Sequence, residues 1–259
     1  MKPTDITQSD YFHKVVDCQW ACPAHTPVPE YIRLIAQGRY DDAYLVNWKS
    51  NVFPGILGRT CDRPCEPACR RVRVEEGSPE HRKAHAKPEA VAICRLKRVA
   101  ADYRGDIRSR LPAPAARRNG KRIALVGAGP ASLTVARDLA PHGYHCVVFD
   151  ADPKAGGMMR TQIPKFRLPD RVIDEECGYV LDLGVEFRAG TRVDSMAALL
   201  ADGYDAVFVG SGAPRGRDLD IPGRREAAKR IHIGIDWLAS VSFGHTTKIG
   251  RRVVVLGGG

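Results

Sequence analysis

Closely spaced cysteines are the feature that most constrains how the N-terminal part of this chain can fold. They form two groups about forty residues apart, namely Cys18 and Cys22, and then Cys61, Cys65 and Cys69. Pro23 follows the second cysteine, and cysteines at such spacings, with proline after one of them, are typical of thiolate ligands for an iron–sulfur cluster. The fold must then bring a loop carrying Cys61, Cys65 and Cys69 to the remote ligand Cys22.

Zinc is the main alternative occupant, because four thiolates also suit a tetrahedral ion. Zinc loops usually have the spacing C-x2-C, whereas three residues separate each neighbouring pair here, so the spacing favours iron–sulfur. Cys18 is left over once four ligands are assigned, and Cys94 falls on a predicted helix. Both are candidate ligands of a second metal site, although Cys94 is equally well a core residue. Cys146 and Cys177 are isolated, and we expect them to pack in the core.

The overall composition is that of a globular protein with one large domain or two ordinary ones. The chain has 259 residues, of which 44% are hydrophobic. No run approaches the roughly 18 apolar residues of a membrane span, and the N-terminus lacks the apolar core of a signal peptide. We therefore expect a cytoplasmic protein, and in that reducing compartment clustered cysteines are more often metal-binding or catalytic than disulfide-bonded.

The formal net charge of +10 is concentrated in one stretch of the chain. Residues 59–122 hold 18 Lys/Arg and 8 Asp/Glu, whereas the remainder holds 22 of each. This stretch is either a solvated surface with a linker, a docking face for an acidic partner, or a nucleic-acid patch. Tyr103 is its only aromatic residue, which argues against a nucleic-acid patch because such sites interleave aromatic with basic residues.

Residues 1–111 are predicted to form a helical domain. Apolar periodicity indicates three helices. The first spans 29–36 and ends before Gly38, the second starts at Asp41, and the third spans 89–103. Residues 112–120 are rich in proline and alanine and are predicted to be a linker.

Beyond residue 120 the pattern changes to alternating strands and helices. Strands are predicted over 122–126, 146–149, 185–187 and 205–209, with a helix over 130–142. This order is typical of an α/β fold with a parallel sheet. A further strand over 251–256 is predicted to lead into Gly257 and Gly259, the first turn of a second nucleotide-binding unit that is cut off there.

A glycine motif joins the first of these strands to its helix. The motif reads Gly127, Ala128, Gly129, Pro130, Ala131, Ser132. The first glycine permits a tight turn, the second lets a pyrophosphate approach the backbone, and the small serine permits close helix–strand packing. Asp150, at the end of the second strand, is placed to accept ribose hydroxyls. A dinucleotide site beside a metal cluster indicates electron transfer.

With these residues assembled, the chain resembles the glutamate synthase small subunit and the N-terminal half of dihydropyrimidine dehydrogenase over essentially its whole length. The resemblance rests on Cys22-Pro23, on Asn51-x-Phe-Pro54 ahead of Gly58-Arg-Thr-Cys61, on Cys65-Glu-x-x-Cys69, on the glycine motif and on Ile163-Pro-Lys-Phe-Arg167-Leu-Pro169. It implies a helical iron–sulfur domain, a Rossmann-like FAD domain and an NAD(P)H domain inserted into the FAD domain. The implied boundaries are 1–111 for the iron–sulfur domain, 112–120 for the linker, 121–222 for the first FAD segment and 223–259 for a truncated start of the NAD(P)H domain.

The resemblance also implies which residues hold the cofactors. One [4Fe-4S] cluster would be held by Cys22, Cys61, Cys65 and Cys69. FAD would be bound by Gly127, Gly129, Pro130, Ala131, Ser132, Asp150, Gly157, Met158, Arg167, Val193 and Gly212, and NAD(P)H by a turn that begins at Gly257 and includes Gly259. Arg167 suits this role because a guanidinium can hold phosphates or flavin oxygens.

A second cluster departs from the family pattern. Two family cysteines that precede Cys18 fall on Asp10 and His13, and a family Gln or Glu ligand falls on Lys97, which as an ammonium cannot ligate. Cys94 lies one helical turn before Lys97. Either the second cluster is lost, or Cys18 and Cys94 belong to a rearranged site.

The resemblance implies an NAD(P)H-dependent oxidoreductase that passes electrons between NAD(P)H, FAD and a [4Fe-4S] cluster to a partner subunit or domain, without a membrane. The chain by itself is expected to be inactive, because the remaining parts of the FAD and NAD(P)H domains are not in it. Two further hypotheses are a zinc-containing basic module that binds nucleic acid, and an inactive fragment.

Overall fold

A computed structural model of the chain describes residues 16–73 and 89–257. The chain divides after Leu111 into two compact units, which we call the cysteine unit (16–73 and 89–111) and the sheet unit (112–257). The predicted division of the second unit at residue 222 stays a prediction. Asp10, His13 and Gly259 lie outside the described residues. None of the helices in the described ranges has the length and apolarity needed to cross a membrane.

The cysteine unit is helical, as predicted. Its elements are α1 (Asp17–Trp20), α2 (Val28–Ala36), α3 (Tyr40–Asn51), α4 (Pro54–Thr60), α5 (Arg70–Arg73), α6 (Ile93–Tyr103) and a 3-10 turn (Arg108–Arg110). The predictions of a helix over 29–36 and of another from Asp41 are confirmed, each helix beginning one residue earlier. Gly38 follows α2 in the left-handed region, at a φ of 72°, which glycine adopts at little cost.

The predicted helix over 89–103 is wrong in its first turn. Helix α6 begins at Ile93, and the backbone of Ala92 is not helical. The amide of Cys94, in the first turn of α6, donates to the Glu66 carboxylate over 3.1 Å. First-turn amides have no partner within their own helix, and here the partner comes from a remote segment. Periodicity alone cannot place a helix start that is fixed in this way.

The core of the cysteine unit lies among α2, α3 and α6. Its buried members are Val28, Tyr31, Leu34, Ala43, Cys65, Ile93 and Ala100. The buried Tyr31 hydroxyl donates to the Ile93 carbonyl over 3.0 Å, which joins α2 to the start of α6. Helix α4 is joined to the far end of α6 by an ion pair of 2.5 Å between Arg59 and Asp102.

The sheet unit has the predicted α/β fold. Its elements are β1 (Arg122–Val126), α7 (Pro130–Leu139), a 3-10 turn (Ala140–His142), β2 (His145–Phe149), α8 (Met158–Thr161), α9 (Asp170–Leu181), β3 (Glu186–Arg188), α10 (Met196–Ala201), β4 (Ala206–Val209), a 3-10 turn (Ala228–Arg230) and α11 (Gly234–Ser242). Cys146 in β2 and Cys177 in α9 are buried, which confirms their predicted packing role.

The strands form one parallel sheet in the order β3-β2-β1-β4. Ala124 in β1 pairs with Val147 on one side and with Val207 on the other. The chain leaves β1 towards β2 and β3 and returns to the opposite side of β1 as β4. The carboxyl end of β1 is therefore a topological switch point, which is where doubly wound sheets bind ligands.

The predicted strand over 251–256 is wrong. Those residues have no strand partner and no regular structure, and Val254 and Val255 are 84% and 82% exposed. Strand propensity and a following glycine favour a strand here. A parallel strand, however, forms only beside another strand that completes its hydrogen bonds. Gly257 is exposed and has a φ of 109°.

Arg160 on α8 links the loop before it to helix α9. Its guanidinium is buried, donates to the Ala155 carbonyl over 2.9 Å and pairs with Asp174 at 2.5 Å. Replacing Arg160 by methionine is expected to lower the free energy of unfolding by about 2 kcal/mol, because a carbonyl and two part-exposed carboxylates, those of Asp174 and of Asp170 at 3.6 Å, lose a charged partner. Urea unfolding of the full chain, followed by circular dichroism, measures this loss.

Lys165 provides the matched control for this prediction. It pairs with Asp170 at 2.8 Å, but more than half of its side chain is exposed. Replacing Lys165 by methionine is expected to lower the unfolding free energy by less than about 1 kcal/mol, because exposed ion pairs contribute little. Equal losses in the two variants would show that the burial of Arg160 does not strengthen its contacts.

Candidate functional site

Three segments of the cysteine unit bring free thiols together. These thiols belong to Cys18 and Cys22, to Cys61, Cys65 and Cys69, and to Cys94. The first pair lies on α1 and the turn after it, the middle group lies in the turns that follow α4, and Cys94 lies in the first turn of α6. Cysteines of these distant segments are neighbours in the folded unit.

Cys94 is at the centre of a three-sulfur group. Its thiol has those of Cys61 and Cys65 as neighbours. The amide of Arg63 donates to the Cys61 sulfur over 3.3 Å. Because Cys61 directly follows α4 and Cys94 begins α6, the packing of these two helices determines how close the sulfurs lie.

Hydrogen bonding within this group changes the acidity of the thiols. The hydrogen bond from Cys94 lowers the pKa of Cys61 to about 6, against the opposing effect of burial. The same kind of contact lowers the pKa of Cys65, and it raises the pKa of the donor Cys94. The thiolate is the form that binds metals, so the structure favours Cys61 and Cys65 in the metal-binding form.

Cys18 and Cys22 belong to the N-terminal segment of the same unit. Cys18 packs against the buried core and has Cys69 and Cys65 as electrostatic neighbours. Burial raises the pKa of Cys18, and the neighbouring Cys69 raises it further. The Cys22 sulfur lies 3.3 Å from the Thr26 hydroxyl. Cys69 is therefore a neighbour of Cys18.

Two charged residues, Lys97 and Glu66, lie beside these cysteines, and the cysteine spacing does not predict the contacts of either. Lys97 lies one turn after Cys94, is 4% exposed and is in electrostatic contact with Cys61, Cys65 and Cys94. Glu66, besides accepting from the Cys94 amide, pairs with Arg63 at 3.7 Å. In the sequence, Glu66 is only an acidic residue in the cysteine loop and Lys97 only a lysine three positions after a helix cysteine. Neither pattern is specific for a contact with the cysteines.

The donor set fits an iron–sulfur cluster in ligand type and in convergence. Cysteine thiolates are the usual ligands of such clusters, and the converging side chains are thiols. In the described parts of the chain, no group of three or more His, Cys, Asp or Glu side chains is arranged to hold a single metal ion. A cluster holds its ligand sulfurs at separate corners, so it does not require the spacing of a single-ion site.

The glycine motif forms a tightly packed turn at the carboxyl end of β1. Gly127 has a φ of 93°, and a Cβ atom there would lie 2.6 Å from the Gly210 carbonyl oxygen at the end of β4. A Cβ atom on Gly210 would in turn lie 2.3 Å from the Ser132 hydroxyl. Gly129 is different, because its Cβ atom would have no neighbour closer than 4.0 Å. The turn therefore packs against the sheet at Gly127 and Ser132 and is open at Gly129.

Asp150 closes the same turn from the end of β2. Its carboxylate accepts from the Ala128 amide over 2.5 Å and from the Asp152 amide over 2.8 Å. The following loop also contacts the motif, since the Gly156 amide donates to the Ala128 carbonyl over 2.8 Å. A Cβ atom on Gly157 would lie 2.8 Å from the Gly129 Cα. Asp150 and Gly157 are therefore beside the glycine motif.

The other predicted cofactor residues lie on loops and element ends of the sheet unit. Pro130 and Ala131 form the first turn of α7, and the largely exposed Met158 begins α8. Arg167 is exposed in the turn before α9, and Val193 packs beside the core cluster that contains Phe149. Gly212 is exposed just beyond β4, at a φ of 69°. No contact among the described residues assigns these side chains a ligand.

Comparison with known proteins supports both units. Residues 12–108 match the family described as dihydropyrimidine dehydrogenase domain II, 4Fe-4S cluster, and residues 125–201 match the NAD(P)-binding Rossmann-like domain. The glutamate synthase [NADPH] small chain of Escherichia coli K12 is 32% identical over 258 residues, covering 93% of this chain and 51% of that protein. The chain is thus similar to this small chain over most of its own length.

Other relatives are described with different functions. The NADPH-Fe(3+) oxidoreductase subunit beta of Geobacter sulfurreducens is 33% identical over 99% of this chain and 38% of that protein. The NADP(+)-dependent formate dehydrogenase subunit beta of Moorella thermoacetica is 33% identical over 93% of this chain and 36% of that protein. The chain thus spans about half or less of the length of the curated relatives it matches.

Among solved structures, a 2-naphthoyl-CoA reductase complex aligns with a TM-score of 0.41 and 17% identity over 83% of this chain and 30% of that one.

Proposed function

We propose that the chain is the cluster-binding and flavin-binding part of an electron-transfer subunit of an NAD(P)H-dependent oxidoreductase. The observation that carries this proposal is the convergence of cysteines from three segments in one unit, next in sequence to a glycine turn at the switch point of a parallel sheet. The relatives named above are described as NADPH- or NADP-dependent subunits. We assign the same class of reaction to the protein that contains this chain.

The sheet unit is proposed to hold FAD rather than NADP. An acidic residue at the end of the second strand accepts the ribose 2′-hydroxyl and disfavours a 2′-phosphate. Asp150 occupies that position, beside the Ala128 amide. A dinucleotide without a 2′-phosphate therefore fits this turn, and FAD is such a dinucleotide. NAD(P)H would then bind at a separate turn, for which Gly257 and Gly259 remain the candidates.

The roles of this chain's residues follow from their positions. The N-terminus of α7 and the open face of Gly129 would receive the pyrophosphate, because helix N-termini and exposed amides attract anions. The cysteine thiolates would fix the cluster, and the buried side chains around them, such as Tyr31, would exclude water. When bound, flavin exchanges a hydride with nicotinamide and the cluster carries single electrons.

The electron acceptor is proposed to be a partner subunit or domain. The relatives are named as small chains or beta subunits, which are parts of larger assemblies. The basic stretch over 59–122 is a candidate docking face for an acidic partner. Charged surfaces of this kind mainly raise association rates and are weakened by salt. We therefore expect partner binding to weaken as ionic strength rises.

Anaerobic purification of the full chain, with analysis of iron, sulfide, zinc and flavin, tests the proposed function. The expected result is about four irons and four sulfides per chain, as one [4Fe-4S] cluster requires, together with binding of added FAD. Zinc bound in place of iron would overturn the electron-transfer proposal and favour the zinc-module hypothesis. Iron without any FAD binding would overturn the flavin assignment but retain the cluster.

A further inference from the structure

We propose that the Thr26 hydroxyl donates a hydrogen bond to the Cys22 sulfur when that sulfur ligates the cluster, that Asn51 positions the hydroxyl, and that this contact raises the reduction potential of the cluster. The inference rests on the proposed function, since it assumes that the cysteine unit holds an iron–sulfur cluster with Cys22 among its ligands. Thr26 and Asn51 are not ligands themselves, and neither is among the predicted site residues.

The side chains of Cys22, Thr26 and Asn51 form a continuous chain of hydrogen bonds. The Cys22 sulfur lies 3.3 Å from the Thr26 hydroxyl, and the Asn51 side-chain amide donates to the same hydroxyl over 2.6 Å. Cys22 lies in the turn after α1, Thr26 lies two residues before α2, and Asn51 is the last residue of α3. Thr26 is 1% exposed and Asn51 is 9% exposed. Because buried hydroxyls are bonded to protein groups rather than to bulk water, these contacts determine how the hydroxyl is oriented.

The chemistry of a ligand sulfur fixes the direction of this chain of hydrogen bonds. A cluster ligand is a thiolate, which has no proton and can only accept a hydrogen bond. The Thr26 hydroxyl has one proton to donate and two lone pairs with which to accept. Since the Asn51 amide donates to one of these lone pairs, the hydroxyl proton is free to point at the Cys22 sulfur. The proton stays on Thr26, so the contact stabilises charge on the sulfur and transfers no atom.

The backbone beside both supporting residues has an uncommon conformation. His25, directly before Thr26, has a φ of 46°, and Val52, directly after Asn51, has a φ of 57°. A positive φ is disfavoured for any residue with a side chain, and most of all for a β-branched residue such as valine. Such strain persists where surrounding contacts determine the conformation, and it is concentrated at functional sites. The positions of Thr26 and Asn51 are therefore closely specified by the fold.

Arg63 is the third non-glycine residue with a positive φ in the described ranges, at 62°. Its amide donates to the Cys61 sulfur over 3.3 Å. Each of the three uncommon backbone positions thus lies beside a hydrogen bond, or a chain of hydrogen bonds, that reaches the sulfur of a predicted ligand. Hydrogen bonds to the sulfurs are among the factors that set cluster potentials. A donor raises the potential because the reduced form carries the additional negative charge.

Redox titration of the full chain, after anaerobic reconstitution with ferrous iron and sulfide, tests the role of Thr26. Thr26→Val keeps the shape of the side chain without the hydroxyl. It is expected to lower the ratio of reduced to oxidised cluster about three- to tenfold at a given ambient potential, which is a shift of about 30–60 mV to more negative values for one electron. Thr26→Ser is expected to restore most of the potential, since serine retains the hydroxyl. An unchanged potential in cluster-loaded Thr26→Val would overturn the proposal, whereas absence of a cluster from the unchanged chain would overturn the proposed function.

Thr60→Val is the matched control for this substitution. Thr60 directly precedes Cys61, but its hydroxyl donates to the Ile56 carbonyl over 2.9 Å. The same loss of a hydroxyl beside a predicted ligand is therefore expected to leave the potential unchanged. Equal shifts in Thr60→Val and Thr26→Val would show that the potential responds to any loss of polarity near the cysteines, and would contradict the assigned hydrogen bond.

Asn51→Leu tests the positioning role, and it keeps the proposal testable if Thr26→Val takes up no cluster. Leucine has nearly the size of asparagine but donates no hydrogen bond, so the Thr26 hydroxyl loses the partner that orients it. The potential is expected to shift in the same direction as in Thr26→Val, by a smaller amount. The double variant is expected to have the potential of Thr26→Val alone, because Asn51 acts through Thr26. An unchanged potential in Asn51→Leu, or additive shifts in the double variant, would overturn this role.

Discussion

Replacement of Gly129 by alanine is expected to leave the fold intact and to weaken FAD binding by about five- to 150-fold, which corresponds to 1–3 kcal/mol of steric overlap. The backbone of Gly129 has an ordinary φ of −80°, and the added methyl group would meet no protein atom closer than 4.0 Å. The space that the methyl group fills is the open face of the turn, where the pyrophosphate would approach the backbone. Fluorescence titration of the full chain with FAD measures the change in affinity.

Gly127 gives the opposite result from the same substitution. Its φ of 93° disfavours any side chain, and a Cβ atom would lie 2.6 Å from the carbonyl oxygen of Gly210. Gly127→Ala is therefore expected to lower the free energy of unfolding of the sheet unit by about 2 kcal/mol or more. The two glycines on either side of Ala128 would thus separate ligand binding from folding.

Gly178 in α9 is the matched control for both substitutions. It is helical, and a Cβ atom there would meet nothing within 4 Å. Gly178→Ala is expected to leave FAD affinity unchanged and to raise stability by about 0.5–1 kcal/mol, since alanine is the better helix former. Unchanged FAD affinity in Gly129→Ala, measured beside this control, would mean that the cofactor does not bind at the glycine turn.

The sequence predicted the sheet unit well because its signals are local. The glycine motif, Asp150 and the first two strands lie within thirty residues of one another, and each has a geometric role that residue type alone makes clear. The structure places Gly127, Ser132 and Asp150 at one switch point. The sequence does not show the packing role of Gly210. This residue directly follows β4, eighty residues after β1, and its lack of a side chain leaves room for the Ser132 hydroxyl.

The cysteine unit was predicted less completely because its geometry is set by distant residues. The spacing argument predicts that distant cysteines converge, and the structure makes Cys94 a neighbour of Cys61 and Cys65, and Cys69 a neighbour of Cys18. The position of Cys94 depends on how α6 packs against α4 and on the contact of the Glu66 carboxylate with the Cys94 amide, and neither leaves a periodic signal in the sequence.

The close crossing of α4 and α6 depends on Gly58. Substitution of this glycine is therefore expected to have a large effect on stability and on bound iron. A Cβ atom on Gly58 would lie 2.7 Å from the backbone nitrogen of Arg98 and 2.8 Å from its Cα. Gly58→Ala must therefore move one helix relative to the other, and overpacking of this kind costs about 1–3 kcal/mol. Because Cys61 follows α4 and Cys94 begins α6, the displacement is also expected to lower the amount of bound iron.

Thermal unfolding of the full chain and its iron content after reconstitution together measure the effect of Gly58→Ala. Gly105→Ala is the control within the same unit, since the nearest neighbour of its Cβ atom would be the Asp41 carboxylate at 3.8 Å, an ordinary contact. The control is expected to retain both stability and iron. Helix propensity alone predicts that Gly58→Ala stabilises the protein, so a more stable variant with full iron content would show that the two backbones do not approach closely at this position. A less stable variant that loses iron would show that the helix crossing holds Cys61 in the position that the cluster requires.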